Sequence, residues 1–277
     1  MGKQGQLTKA NFGYSVPVDA PLYEPFPVYY EDSTFLTFPY VTSADAAAKL
    51  LPEQLELAPG PDGAAGKLAY AKVLFAQYKF SNYGAYNEVA QVIQARYRGT
   101  VPAGASADVG FAVRLHVDTD IAMAAGREIG GFPKKLGHIQ FTDSPVYFAS
   151  LESPKGLRIC SGEMNPFAKV ADQRLMPPAM QKTVIPYVSL RVIPNPVLTA
   201  PYTPSICQLI YTEWVLSEGT FWSGRGALSF TGASALCPYH TLPILEQAAP
   251  LSPTNMNGTM LYRGKMSISR VEILENF

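Results

Sequence analysis

The 277-residue chain contains no run of 18 or more apolar residues, so no segment reads as a bilayer-spanning helix. Cysteine is scarce. Cys160, Cys207 and Cys237 are odd in number, far apart and free of any CxxC spacing, which excludes a disulfide framework and a zinc ribbon and points to a reducing compartment. The three histidines, His116, His138 and His240, share no metal-ligand spacing, and each reads as structural or surface. Charge is thin, at 16% of residues, and balanced, with 22 basic and 22 acidic side chains. Neither nucleic acid nor an anionic membrane is an expected partner of such a chain. No GxSxG elbow occurs, and Gly224, Gly226 and Gly232 lack the strand-turn-helix setting of a phosphate loop. The N-terminus shows no apolar signal region, and Gln6 stands where a myristoylation motif needs Ser or Thr. These absences predict a soluble, cytoplasmic protein without metal or nucleotide, whose partner is a small molecule or another protein chain.

What the chain has in quantity is apolar and turn-forming residues: 47% are apolar, with 16 Tyr, 14 Phe, 24 Pro and 22 Gly. That mixture favours short strands and turns over long helices. A short helix is predicted from the Ser43 cap to Leu51, stopped by Pro52. TFLTFPYV, LAYAKVLFAQYKF and EVAQVIQARYRG read as strands, the last two joined by a turn around Asn82 and Gly84. Alternation places Val89, Gln91, Ile93 and Ala95 on one face and Glu88, Ala90, Val92 and Gln94 on the other, so Glu88 opens a strand on a partly apolar face. After the strand GFAVRLHVD, DTDIAMAAGREIG (118–130) has an Asp cap, alanines and a terminal glycine, and reads as a helix. PVYFASLES, LRICSGEM, VSLRVIP, ICQLIYTEWVLSEGTFW, GALSFTG and GKMSISRVEIL are further strands. Many strands, few helices and no βαβ alternation predict a mainly β fold, an antiparallel sheet system that is closed or sandwiched. No repeat or long linker divides it: residues 1–277 read as one domain, with a polar, proline-dotted arm over 1–26.

The charge-poor chain nevertheless sets two lysines side by side in GGFPKKLG (130–137). A lysine acts as a nucleophile when its amine is neutral near working pH, which requires its pKa to fall by roughly three to four units from about 10.4. Burial and a neighbouring cation both act in that direction. If Phe132-Pro133-Lys134-Lys135-Leu136 enters a strand, however, the two lysines point to opposite faces, and desolvation must supply most of the shift. Gly130 and Gly131 permit a sharp helix-to-strand turn, and Pro133 fixes the backbone before Lys134.

GREIGGFPKKLG resembles the active-site signature of the acetoacetate decarboxylase family, and the similarity continues in DAAAKLLPEQLEL, GAYNEVAQVI, RVIPNP…ICQLI and FWSGRGALSF…LPIL, in the same order. The resemblance implies a cone-like antiparallel β-barrel with a few peripheral helices, usually a homo-oligomer, and a cofactor-independent Schiff-base lyase acting on a small keto acid. It matches Lys134 to the imine-forming nucleophile and Lys135 to the neighbour that helps lower its pKa, a case already known for acetoacetate decarboxylase itself. Glu88 matches the active-site acid, with a proton-shuttling role. Tyr83, Tyr86 and Phe132 are candidates to line the substrate pocket. Arg127 is a further candidate close to Lys134, although an ion pair with Glu128 at the helix end is the plainer expectation.

Two positions depart from the family pattern. Its arginine at the start of the first strand and its glutamate in the strand before GAYNE align with Ser33 and Val73, and no arginine precedes Arg96. Losing a cation and an anion together leaves neither uncompensated. The departures put acetoacetate as the substrate in question and leave open aldol, retro-aldol or dehydration chemistry through the same imine, or a barrel that binds without turnover.

Overall fold

A computed structural model describes residues 4–8, 18–143, 145–197, 203–231, 238–252 and 258–277. Cys237 and Gly232 lie outside the described residues. The elements are β1 (Val28–Ser43), α1 (Ala44–Ala48), β2 (Leu55–Leu57), β3 (Leu68–Ser81), β4 (Tyr86–Tyr97), β5 (Asp108–Val117), α2 (Asp120–Glu128), β6 (Lys134–Leu136), β7 (His138–Asp143), β8 (Tyr147–Glu152), β9 (Arg158–Asp172), β10 (Lys182–Ile193), β11 (Ile206–Phe230), β12 (Glu246–Gln247) and β13 (Met260–Asn276). Seven strands, in the order β10-β5-β4-β3-β1-β13-β11, form a barrel that closes where β11 returns to β10. The mainly β, barrel-type expectation is met.

The far half of β11 leaves the barrel to pair with β9, and the sheet continues through β8 to β7. This extension packs over the outer wall, so β1, β3 and β4 are buried on both faces. Phe35, Leu74, Ala76, Ala90 and Val92 point into the barrel. Leu36, Phe38, Val73, Phe75, Val89 and Ile93 point the other way, against Ala149, Leu151, Cys160 and Met164. A strand covered on both sides reads as a continuous apolar run, which is why TFLTFPYV shows no alternation.

Three expectations are corrected. The two strands expected over 206–222 and 226–232 are one 25-residue strand, β11, bent by register shifts between Ser217 and Thr220 and again near Trp222 and Gly224. Its glycines bend the strand as it passes from one sheet to the other and do not end it. The absence of βαβ units fails at one place, since β5, α2 and β6 form a parallel crossover in which Leu115 pairs with Lys134. Nor does Asp118 cap α2. Thr119 is the N-cap, without a side-chain bond, and Asp118 accepts Asn87 N (2.8 Å) and Nδ2 (2.7 Å), tying the start of β4 to the start of α2. Ser43 does cap α1, accepting from Ala46 N at 3.3 Å.

Behind the β4 and β5 wall lies a buried polar network. Gln91 donates to Tyr40 Oη (2.8 Å) and to the Tyr239 carbonyl (3.0 Å), and receives Arg114 Nη1 at 2.6 Å. His116 Nδ1 sits 3.2 Å from Tyr239 Oη. Burial, and secondarily the charge of Lys135, push the imidazole down from 6.5 to about 4. A histidine whose folded pKa is depressed binds its proton more readily in the unfolded chain. Stability is therefore expected to be full above pH 6.5 and to decline as pH falls toward 4, by up to about 3 kcal/mol at 1.36 kcal/mol per unit. Urea titrations across that window should show the decline in wild type and a flatter profile in His116→Gln; equal slopes would count against the assignment.

Candidate active site

Lys134 is placed by the crossover. After α2 the chain reverses at Gly130 and Gly131, and Gly131 has φ +69°; a Cβ there would lie 2.8 Å from the Arg191 backbone nitrogen. Only glycine meets both conditions without strain. Ser189 Oγ hydrogen-bonds the Gly130 carbonyl, and Phe132 N donates to Gly126 O at 3.0 Å. Lys134 N donates to Phe132 O at 2.7 Å across Pro133, a tight turn that delivers the lysine into β6. Alternation along β6 then buries Lys134, 7% exposed, and leaves Lys135 outside.

The lysine lies along α2 where that helix has no side chain. A Cβ on Gly126 would press on Lys134 Cδ, come within 2.5 Å of Cε and reach 3.1 Å from Nζ. Gly126→Ala is therefore expected to displace the amine by about an ångström and lower turnover about 100-fold, while overpacking costs about 1–3 kcal/mol. Rate and thermal midpoint measured together check this; normal turnover by the folded variant would show that the groove is not required.

Glu88 reaches the same point from β4, where it pairs with Ala76 on one side and Val117 on the other. Lys134 Nζ donates to Glu88 Oε2 at 2.8 Å, with side-chain exposures of 8% and 2%. Glu88 Oε1 is buried without a hydrogen-bond partner among the described residues. The rings of Tyr86 and Phe132 lie 5.8 and 6.0 Å from Nζ, within cation–π range. Tyr30 and Tyr86 share a hydroxyl–hydroxyl bond of 2.8 Å. Burial raises the phenols of Tyr30, Tyr78 and Tyr86 far above their ordinary range, so they stay neutral.

These groups enclose a cavity inside the barrel, walled by Tyr30, Tyr78, Tyr83, Tyr86, Phe132 and Trp214 and completed by Phe26, Val28, Ala122, Gly126 and Ile268. Its free volume is about 20 Å³, room for about one water, so a keto acid enters only if wall side chains move. Residues 23–26 border it: Tyr23 Oη donates to Glu128, Tyr83 Oη donates to the Glu24 carbonyl at 2.9 Å, and Phe26 meets Tyr83 edge to face.

Of the residues singled out in the sequence, Lys134, Glu88, Tyr83, Tyr86 and Phe132 meet at this cavity, and Lys135 and Arg127 do not. Lys135 faces away, where its charge acts on His116. Arg127 donates to the Lys134 carbonyl at 3.1 Å and borders a separate cleft of about 410 Å³. Its expected ion pair with Glu128 does not form, because consecutive helical side chains diverge; Glu128 takes the Tyr23 hydroxyl instead. Ser33 lies fully buried between Tyr30 and Phe35, which both face the barrel, whereas Val73 belongs to the second core. The β3 side chains in the barrel core are Leu74, Ala76 and Tyr78, so a shift of register brings no second carboxylate. Sequence reading passed over Tyr30, Tyr78 and Trp214. Tyr30 and Tyr78 lie in strands buried on both faces, where no polar alternation separates inside from outside, and Trp214 lies in the bent strand β11.

The family model described as acetoacetate decarboxylase (ADC) matches residues 15–260. The acetoacetate decarboxylase of Clostridium botulinum is 29% identical over 84% of this chain and 86% of its own. In fold, the chain is similar to the crystal structure of acetoacetate decarboxylase from Legionella pneumophila (TM-score 0.72, 22% identity, 100% and 99% of the two chains). It is also similar to the enduracididine biosynthesis enzyme MppR complexed with pyruvate (TM-score 0.66, 19% identity, 95% and 98%).

Proposed function

The chain belongs to the acetoacetate decarboxylase (ADC) family, and from that premise we propose that it is a cofactor-independent lyase that decarboxylates a β-keto acid through an imine on Lys134. The observation that carries the reading is the Lys134–Glu88 pair, 2.8 Å apart at the wall of a closed aromatic cavity. Glu88 takes the ammonium proton, and the freed amine attacks the substrate ketone. A C–N bond forms, the carbonyl oxygen takes up protons and leaves as water, and an iminium ion remains. The bond to the carboxylate then breaks, its electron pair moves toward the iminium nitrogen, and carbon dioxide departs, leaving an enamine. Glu88, having given its first proton to the departing water, takes up another from solvent and delivers it to the enamine carbon, and water then releases the ketone and the amine. An apolar wall favours the carbon–carbon cleavage, since a poorly solvated carboxylate gains most by leaving as neutral carbon dioxide.

A second reading uses the same enamine for aldol or dehydration chemistry. Ser33 in place of the family's arginine favours it, because the cavity then holds no guanidinium to fix a substrate carboxylate.

Borohydride reduction during incubation with β-keto and 2-oxo acids, followed by intact mass and peptide mapping, tests both. An adduct on Lys134 with released carbon dioxide supports the first reading, and an adduct without it supports the second. Absence of any adduct would leave a barrel that binds without turnover.

A further inference from the structure

One residue of the cavity wall carries a buried donor that the proposed chemistry does not use. Trp214, 3% exposed, lines the wall beside Phe132, and its indole Nε1–H finds no acceptor among the described residues. Of its polar neighbours on the wall, Tyr30 and Tyr86 bond each other, Tyr83 bonds Glu24 and Lys134 bonds Glu88, while Glu88 Oε1 is a second buried polar atom without a partner among the described residues. A buried donor left without a partner is costly, and such groups persist where something else satisfies them.

The indole is also held rigidly. Its ring lies 4.8 Å from Tyr187, 6.3 Å from Phe132 and 6.5 Å from Phe35, centroid to centroid. Opposite it, the β11–β13 register shifts, with Glu213 on Arg270 and Trp214 on Ile268, so that one residue of β13 is left over. Bulges of this kind re-aim side chains beside binding sites. Ile268, the other member of that pair, lines the same cavity.

We propose that Trp214 anchors the substrate, its Nε1–H donating to a carboxylate oxygen while Lys134 holds the ketone carbon. The inference rests on the lyase reading above and narrows its substrate to a methyl or short-chain oxo acid carrying one carboxylate. A neutral donor orients that carboxylate without the charge stabilisation a guanidinium would give, so the group remains ready to leave. Trp214 thus takes on the orienting task in a cavity whose lining residues include no guanidinium.

The test compares the wild type with Trp214→Phe, which keeps the aromatic wall and deletes the N–H. First-turnover borohydride trapping is titrated with acetoacetate and with acetone, the latter a methyl ketone without a carboxylate. Half-saturating acetoacetate is expected to rise about tenfold in the variant, the worth of one hydrogen bond, with acetone unchanged. Equal rises for both ketones, or no rise, overturn the assignment. A second measurement needs no variant to remain active: the wild type, with its two tryptophan indoles labelled with nitrogen-15, is titrated with 3-hydroxybutanoate. The Nε1–H signal that is missing from Trp214→Phe should move downfield, and a stationary signal overturns the anchor. Trapping without this movement leaves the lyase reading and removes the anchor; movement in a chain that is never trapped does the reverse.

Discussion

Lys134→Ala is expected to reduce turnover to the uncatalysed background and to eliminate the borohydride adduct, because no other amine among the described residues faces Glu88 in the cavity. That result alone would mix chemistry with folding. Deleting one partner of a buried ion pair typically costs about 3–5 kcal/mol, since the other charge is left uncompensated. Lys134→Arg separates the two effects: it preserves a cation opposite Glu88 but offers no amine that condenses with a ketone. Its expected behaviour is loss of turnover with a smaller drop in thermal midpoint than Lys134→Ala. The double variant Lys134→Met with Glu88→Gln removes both charges and should regain stability lost in the single alanine variant, without regaining activity. Residual turnover in Lys134→Arg would remove the covalent route altogether.

Glu88→Gln should lower turnover by about 10²–10⁴-fold, the usual contribution of a positioned acid–base group. Trapping should behave differently. Once the carboxylate is gone, the amine is released from its ion pair and remains in place to attack the ketone. The adduct is therefore expected to persist in Glu88→Gln while carbon dioxide release and protonation of the enamine slow. Parallel loss of adduct and turnover would mean that Glu88 holds the lysine in place and moves no proton. Glu88→Ala, which also deletes the hydrogen bond at 2.8 Å, should be the less stable of the two variants by thermal denaturation.

Much of the region around Lys134 was legible before any coordinates. The helix ended by glycine, the Gly-Gly turn, the proline and the alternating pair of lysines are local features, and the backbone obeys them: Lys134 is buried and Lys135 is not. The same local reasoning misplaced Asp118 as a helix cap, because its carboxylate had a partner, Asn87, that lies 31 residues away in sequence. It also divided β11 in two, since glycines that bend a strand between sheets resemble glycines that end one. Arg127 shows a third kind of failure: its proximity to Lys134 along the chain is real, but its side chain reaches the lysine's carbonyl and not the cavity.

By itself the sequence determined the candidate lysine, the turn that presents it and the strand-rich composition, because each depends on residue types within a few positions of one another. Only the tertiary structure decided that Glu88, 46 residues from Lys134, stands at its nitrogen, and that Trp214 closes the wall beside them. Barrel closure brings distant strands together, and with both faces of β1, β3 and β4 buried, apolar patterning carries no mark of which side chains turn inward.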